Sequence, residues 1–258
     1  MNDSRREVIS VRHLWAAYDH QPVLEDINLS VKALDFIGIV GPNGGGKTTL
    51  FKVILGLLQP MRGEVRIMGE PAEEGRQHVG YVPQLADFDT DFPVRVWDVA
   101  QMGRLAQRGL LQRYTEEDEE IVADALRRVD MLDQRDRPLG DLSGGQRQRV
   151  IIARALATEP SILLLDEPLA SVDPLVSSHI YDLLERLNQT ITIMLASHDV
   201  GAISSHVKTV GCLNRRLFYH GGDSLTPDML ELAYQCPVDL IAHGVPHRVF
   251  PEHETEEG

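Results

Sequence analysis

No stretch of the 258 residues approaches the roughly 20 consecutive apolar positions that cross a bilayer, so any membrane role is expected to come through a partner. The first residues, MNDSRREVIS, lack the apolar segment of a secretory signal. The two cysteines, Cys212 and Cys236, are too few for a disulfide framework, and both features point to the cytosol. Basic residues are also scarce: 25 Lys and Arg stand against 39 Asp and Glu, a formal net charge of -14. Proteins that hold a nucleic-acid backbone draw their affinity from clustered Lys and Arg, so no nucleic-acid partner is expected. Internal repeats are absent, and the one biased segment is the acidic end, PEHETEEG, which is expected to be disordered. What remains, 43% hydrophobic and 25% charged, suits an α/β protein with a large core.

The pattern along the chain is one of strands and helices in alternation. VISVRHLWAAY alternates as an opening strand, and DFIGIV at 35–40 is a short apolar run ending at Gly41, as a buried parallel strand would. KTTLFKVILGLL reads as a helix ending near Gly56, and EVRIMG and HVGYVPQ read as strands. From Asp87 to about Glu159 the pattern turns helical: Thr115 and Asp118 have capping-box spacing, and Ile121, Val122, Ala125, Leu126 and Val129 form one apolar stripe. SILLLDEP, ITIMLASHD and TVGCLN restore the strand signal, with Asp173-Pro174 opening a helix between the first two.

Between the strand DFIGIV and the following helix stands GPNGGGKTT, that is Gly41, Pro42, Asn43, Gly44, Gly45, Gly46, Lys47, Thr48 and Thr49. The spacing G-x-x-x-x-G-K-[ST] in that context is a phosphate cradle. Glycines let backbone N–H groups turn inward, the helix start adds positive dipole, Lys47 reaches the outer phosphates and the Thr48 hydroxyl ligates Mg²⁺. The run Ile162 to Leu165 then delivers Asp166 and Glu167 to the C-terminal end of a buried strand, where ligands bind in open α/β sheets. Asp166 is assigned to Mg²⁺ and Glu167 to polarising an attacking water.

A second glycine pair needs a separate explanation. In Leu142-Ser143-Gly144-Gly145-Gln146, Ser143 and Gln146 again have capping-box spacing, so a second helix start offers its N–H groups to an anion. It lies inside the helical insertion, poorly placed for the same nucleotide, and is therefore inferred to reach a nucleotide held by another chain.

Together GPNGGGKTT, Gln84 in YVPQ, LSGGQ, ILLLDEP, SVD at 171–173 and SHD with His198 resemble, in kind and order, the motifs of ATP-binding cassette (ABC) ATPases, over about Val8 to Asn214. The resemblance implies an α/β fold: an ABC-type P-loop nucleotide-binding domain with a RecA-like core, an antiparallel β part and a helical subdomain. It places one ATPase domain over 1–240, with the helical part inserted at about 87–159 and a tail at 241–258. It also implies an ATP-hydrolysing homodimer that sandwiches ATP and Mg²⁺ between one chain's P-loop and the other's LSGGQ. By the same resemblance Tyr18 stacks on adenine, Gln84 senses Mg²⁺ and the attacking water, and Ser143 and Gly145 reach the partner's γ-phosphate. Asp173 links the two sites, and His198 holds γ-phosphate and water. Thr48, Gln84 and Asp166 are then the Mg²⁺ set, and Lys47, Gln84, Glu167 and His198 the catalytic set. One departure is visible: Ala33-Leu34-Asp35 stands where the family has a glycine before its acidic residue. Leucine resists a positive φ, so this turn is expected to be reshaped.

LADFDTDFPVRVWDVAQMGR at 85–104 resembles the stretch after the glutamine loop in cassettes of zinc, manganese and iron(II) importers, and CLNRRLFYHG at 212–221 and CPVDLIAHGVPHRVF at 236–250 resemble the C-terminal region of the same branch. This implies uptake of a divalent metal, zinc or manganese first, through a separate permease docked between Gln84 and Arg104. The cassette would lie at the cytoplasmic face of the membrane, with an extracytoplasmic metal-binding protein as an indirect partner. Phe88, Phe92 and Trp97 are candidates to grip the permease, with subdomain core as the alternative for Trp97. Other readings are a cassette for haem, an iron chelate or an exported compound, or an ABC ATPase without a transporter. Cys236, His243 and His247, with His253 or Asp239, are candidate zinc ligands, although Gly244 and Pro246 interrupt the helix that would align the histidines.

Overall fold

The computed structural model describes residues 6–19, 21–84, 93–105, 107–108, 113–169, 174–199, 201, 203 and 206–219. β1 (Glu7–Tyr18) and β2 (Gln21–Lys32) pair antiparallel, and β4 (Arg62–Ile67) and the short β5 (Glu70–Pro71) extend them into a four-stranded sheet of order β2-β1-β4-β5. β2 buries Leu24, Ile27, Leu29 and Val31. Its alternation slips between Leu24 and Ile27, at Asp26 with φ 52°, and this break hides the strand from a period-two reading.

The second sheet has six strands in the order β10-β9-β3-β8-β7-β6. β3 (Phe36–Val40), β7 (Ile162–Asp166) and β8 (Thr192–Ser197) are buried at every position, while β6 (Val79–Val82) and β9 (Thr209–Asn214) flank them. These five run parallel, and β10 (Arg216–Tyr219) returns antiparallel to β9. A parallel sheet covered on both faces needs apolar residues throughout, which is why FIGIV and ILLL read as unbroken runs.

Alternate residues of these strands go to two cores. Ile37, Ile39, Ile162, Leu164 and Met194 join the antiparallel sheet and α1 (Lys47–Ile54), while Phe36, Val40, Leu163, Leu165, Ile193 and Leu195 join the other helices. After the single-turn α2 (Ala72–Gly75), those are α3 (Val96–Gln101), α4 (Glu116–Arg128), α5 (Gly144–Leu156) and α6 (Pro174–Asn188). Each fully buried Leu, Ile or Phe contributes about 1.5–3 kcal/mol, so the two cores rather than helix propensity hold the short helices. Among the described residues no helix is long and apolar enough to cross a membrane.

Both capping boxes form. The Thr115 N–H donates to Asp118 Oδ2 at 2.9 Å at the start of α4, and the Ser143 N–H donates to Gln146 Oε1 at 3.0 Å at the start of α5. Asp118 also anchors a buried network: Arg104 Nε lies 3.0 Å from its Oδ1 and Arg108 Nε 2.8 Å from its Oδ2. Arg104 reaches on to the Ala157 carbonyl, just past the end of α5, at 2.9 Å. The backbone N–H of Thr115, and then the Arg104, Thr115 and Arg108 side chains, outweigh burial and hold the Asp118 carboxyl well below its usual range.

The turn at Leu34 is not reshaped, contrary to expectation. Leu34 takes φ 62°, and tertiary bonds hold it there: its N–H donates to Thr192 Oγ1 at 2.9 Å and its carbonyl accepts from Asn188 Nδ2 at 3.3 Å.

Candidate active site

β3 ends at Val40 and the chain enters α1 at Lys47 through the glycine-rich loop. Gly41 must be glycine because a Cβ there would fall 2.0 Å from the Leu213 carbonyl oxygen of β9. Gly46, the residue before α1, has φ 103° and gives the helix no side-chain cap, so the first N–H groups of α1 stay available to an anion. Lys47 is buried, and its Nζ donates to the carbonyls of Gly41 at 2.8 Å and Pro42 at 3.1 Å.

β7 brings two carboxylates to this loop. Asp166 is fully buried; its Oδ2 accepts from the Tyr81 hydroxyl at 3.3 Å, and its Oδ1 has no hydrogen-bond partner among the described residues. Burial pushes this carboxyl up, against the Thr48 and Tyr81 hydroxyls that pull it down. A buried carboxylate oxygen without a donor is what a cation or its water satisfies, so these residues fit a divalent ion. Burial and the Asp166 charge in turn push the Tyr81 phenol far above its usual range, so it acts only as a donor.

Glu167 follows with φ 47°, and its N–H is tied to the Ala196 carbonyl at 2.9 Å. A left-handed glutamate at the end of a buried strand stores strain where chemistry is done. Glu167 Oε1 lies 3.1 Å from Lys47 Nζ, and Oε2 accepts from the His198 N–H at 3.3 Å and lies 2.8 Å from His198 Nδ1. With Glu167 a carboxylate, His198 Nδ1 is the donor of that bond.

A cavity of about 440 Å³ is lined by Asn43, Gly44, Gly46, Lys47, Thr48, Thr49, Gln84, Glu167 and His198. The structure thus brings together nine residues that the sequence scatters over three motifs and a strand end. Gly41, Pro42 and Gly45 form the loop backbone behind them. Tyr18 does not line the cavity; it ends β1, 42% exposed, with Lys52 Nζ 6.0 Å from its ring centre. Ser143, Gly144, Gly145 and Gln146 do not line it either, and Ser143 and Gly144 are exposed at the start of α5. Tyr81 was not among the expected site residues. Its signal was a hydroxyl-bearing aromatic in VGYVPQ, a strand whose neighbour in the sheet carries the carboxylates.

Trp97 is half-buried against the helical core, with the Arg135 guanidinium 6.0 Å from its ring. Phe88, Phe92, Asp173, Cys236, Asp239, His243, His247, His253 and the tail 241–258 lie outside the described residues. Among the described residues no group of three His, Cys, Asp or Glu is arranged for a metal. Cys212 is buried, and burial pushes its thiol up to about 11, out of the reactive range.

Residues 24–170 match the family described as ABC transporter. The chain belongs to this family. As an ABC ATPase it is a nucleotide-binding, ATP-hydrolysing protein. It is similar to the zinc uptake system ATP-binding protein ZurA of Listeria innocua, 38% identical over 220 residues that make up 83% of this chain and 86% of the relative. It is also similar to the manganese transport system ATP-binding protein MntB of Halalkalibacterium halodurans, 38% identical over 231 residues, 88% and 92% of the two chains. Among solved structures, cbiO1 from Clostridium perfringens, part of the ABC transporter complex cbiONQ, is 31% identical with a TM-score of 0.74, covering 84% of this chain and 89% of that one.

Proposed function

We propose that this ABC ATPase powers uptake of a divalent metal ion, zinc or manganese, through a separate membrane permease. The observation that carries the reading is the likeness along most of both chains to ATP-binding proteins named for zinc uptake and for manganese transport. The cavity supports the energetic half of it. Lys47 draws the outer phosphates toward α1, and Thr48, Gln84 and Asp166 would hold the Mg²⁺ of MgATP, which neutralises charge on the phosphates. Glu167, oriented by His198 Nδ1 and by the bond from its own N–H to Ala196, takes the proton of the attacking water, and His198 holds γ-phosphate and water.

Tyr18 stacks on adenine, and Ser143, Gly144, Gly145 and Gln146 close over the nucleotide of a second copy in a homodimer. Their position outside the cavity and the exposure of Ser143 and Gly144 support that division of labour. Asp173 links the two sites. One domain, 1–240, carries this machinery. Its helical insertion at about 87–159 receives the permease near Gln84 to Arg104, at the cytoplasmic face of the membrane, with Phe88, Phe92 and Trp97 as the gripping aromatics. An extracytoplasmic metal-binding protein feeds that permease.

The test is elemental analysis of zinc, manganese and iron in cells lacking this protein and in cells restored with wild type or Glu167→Gln. One metal should fall without the protein and recover only with wild type. No change in any metal would remove the cargo assignment and leave the ATPase.

A further inference from the structure

Tyr81 stands on β6, whose register with β7 sets it beside Leu164, two residues before Asp166. Its ring packs against the core around α1, and its hydroxyl donates to Asp166 Oδ2 at 3.3 Å. The two carboxylate oxygens are therefore unequal: Oδ2 has a donor, while Oδ1 is buried without one. A carboxylate turns readily about its last torsion, which has a broad, roughly two-fold profile, so one fixed donor selects the orientation. The Thr48 hydroxyl also bonds this carboxylate; its proton can stay on Asp166 while its oxygen lone pairs ligate the ion, so Thr48 and Tyr81 brace the carboxylate together.

We infer that Tyr81 is a positioning residue for Asp166, fixing the carboxylate together with Thr48 so that Oδ1 is presented to the divalent ion or its water. The inference rests on the ATPase reading above and deepens it. Of the two hydroxyls on Asp166, that of Tyr81 is the one whose residue takes no part in holding the ion. β6 ends at Val82 and leads straight through Pro83 to Gln84, so one strand carries both the brace for the aspartate and the glutamine of the same ion site. Partners of a metal's ligands act in this way, by orienting the ligand and keeping it charged.

The test removes only the oxygen, with Tyr81→Phe in the full chain. Four quantities are read: ATP affinity in EDTA, Mn²⁺ affinity of the protein–ATP complex by electron paramagnetic resonance, melting temperature, and kcat at rising Mg²⁺. Mn²⁺ affinity should fall about tenfold, the usual cost of losing a second-layer partner. ATP affinity in EDTA and the melting temperature should stay at wild-type values, and saturating Mg²⁺ should restore most of kcat. Unchanged Mn²⁺ affinity in a variant that binds ATP would overturn the inference. So would parallel losses of metal-free ATP binding and thermal stability, which would make Tyr81 a packing residue only. A wild-type protein that binds no ATP would instead defeat the functional reading on which the inference depends.

Discussion

Two helices begin in glycine-rich sequence, α1 at Lys47 and α5 at Gly144, and they differ in what stands around them. At α1 the loop is locked to the sheet by the close approach of Gly41 to Leu213, its lysine is buried, and the carboxylate of Glu167 lies 3.1 Å from that lysine. At α5 Ser143 and Gly144 are exposed while Gly145 is buried, Ser143 caps its own helix, and none of the four signature residues lines the cavity. One helix start is built into a site; the other is presented outward on a platform. In the proposed dimer this second helix start is half of a site, completed by a nucleotide held by another copy.

The largest effect should come from the complete half. Glu167→Gln should lower ATP turnover about 10²–10⁴-fold, the range for losing a general base, while ATP binding persists. Steady-state hydrolysis alongside fluorescent-nucleotide binding checks this, and turnover within a few-fold of wild type would move the base elsewhere.

The outward half is probed by Ser143→Arg. Turnover should fall about 10²-fold, as for losing a preorganised charge-stabilising donor, with single-chain ATP affinity unchanged. If ATP affinity of the monomer fell as well, the signature residues would belong to the same chain's site and the contrast between the two helix starts would collapse.

The platform itself comes next. Asp118, with Arg104, ties the far end of α5 to α4, and its pKa is depressed in the folded protein. A depressed carboxyl contributes stability that is present above its unfolded value of about 3.9 and is lost as pH falls through the folded value. Asp118→Asn should therefore melt well below wild type at pH 7, with the gap closing as pH drops below about 4. Thermal melts across pH check this, and a gap independent of pH would assign the loss to packing alone.

The smallest effect concerns Gln148, one turn into α5 and fully buried, with neither side-chain polar atom hydrogen-bonded among the described residues. Gln148→Leu should stabilise the protein by about 1 kcal/mol, a rise of about 2–4 °C in Tm for a chain of this size. A fall in Tm would mean that the amide has a partner in solution.

Much of this was legible in the sequence because local rules and packing agree. FIGIV and ILLL are apolar throughout because both faces of a parallel sheet are covered, and Ser143 with Gln146 and Thr115 with Asp118 cap the helices that their spacing announces. The failures sit where tertiary contacts override local preference. β2 was not read because Asp26 breaks its alternation, and Leu34 adopts a left-handed φ because Thr192 and Asn188 bond its backbone from far along the chain. Within the site, the motifs gave residue types but not their couplings. The left-handed φ of Glu167, its contact with His198 Nδ1 and the Tyr81 hydroxyl on Asp166 all depend on strand register, which spacing along one segment does not encode.

The central claim is that the outward cradle closes over a nucleotide held by a second copy. Size-exclusion chromatography with light scattering of Glu167→Gln, with and without MgATP, tests it most directly. The account predicts a monomer without nucleotide and a dimer containing two ATP molecules with it. A monomer that binds ATP at every protein concentration would contradict it.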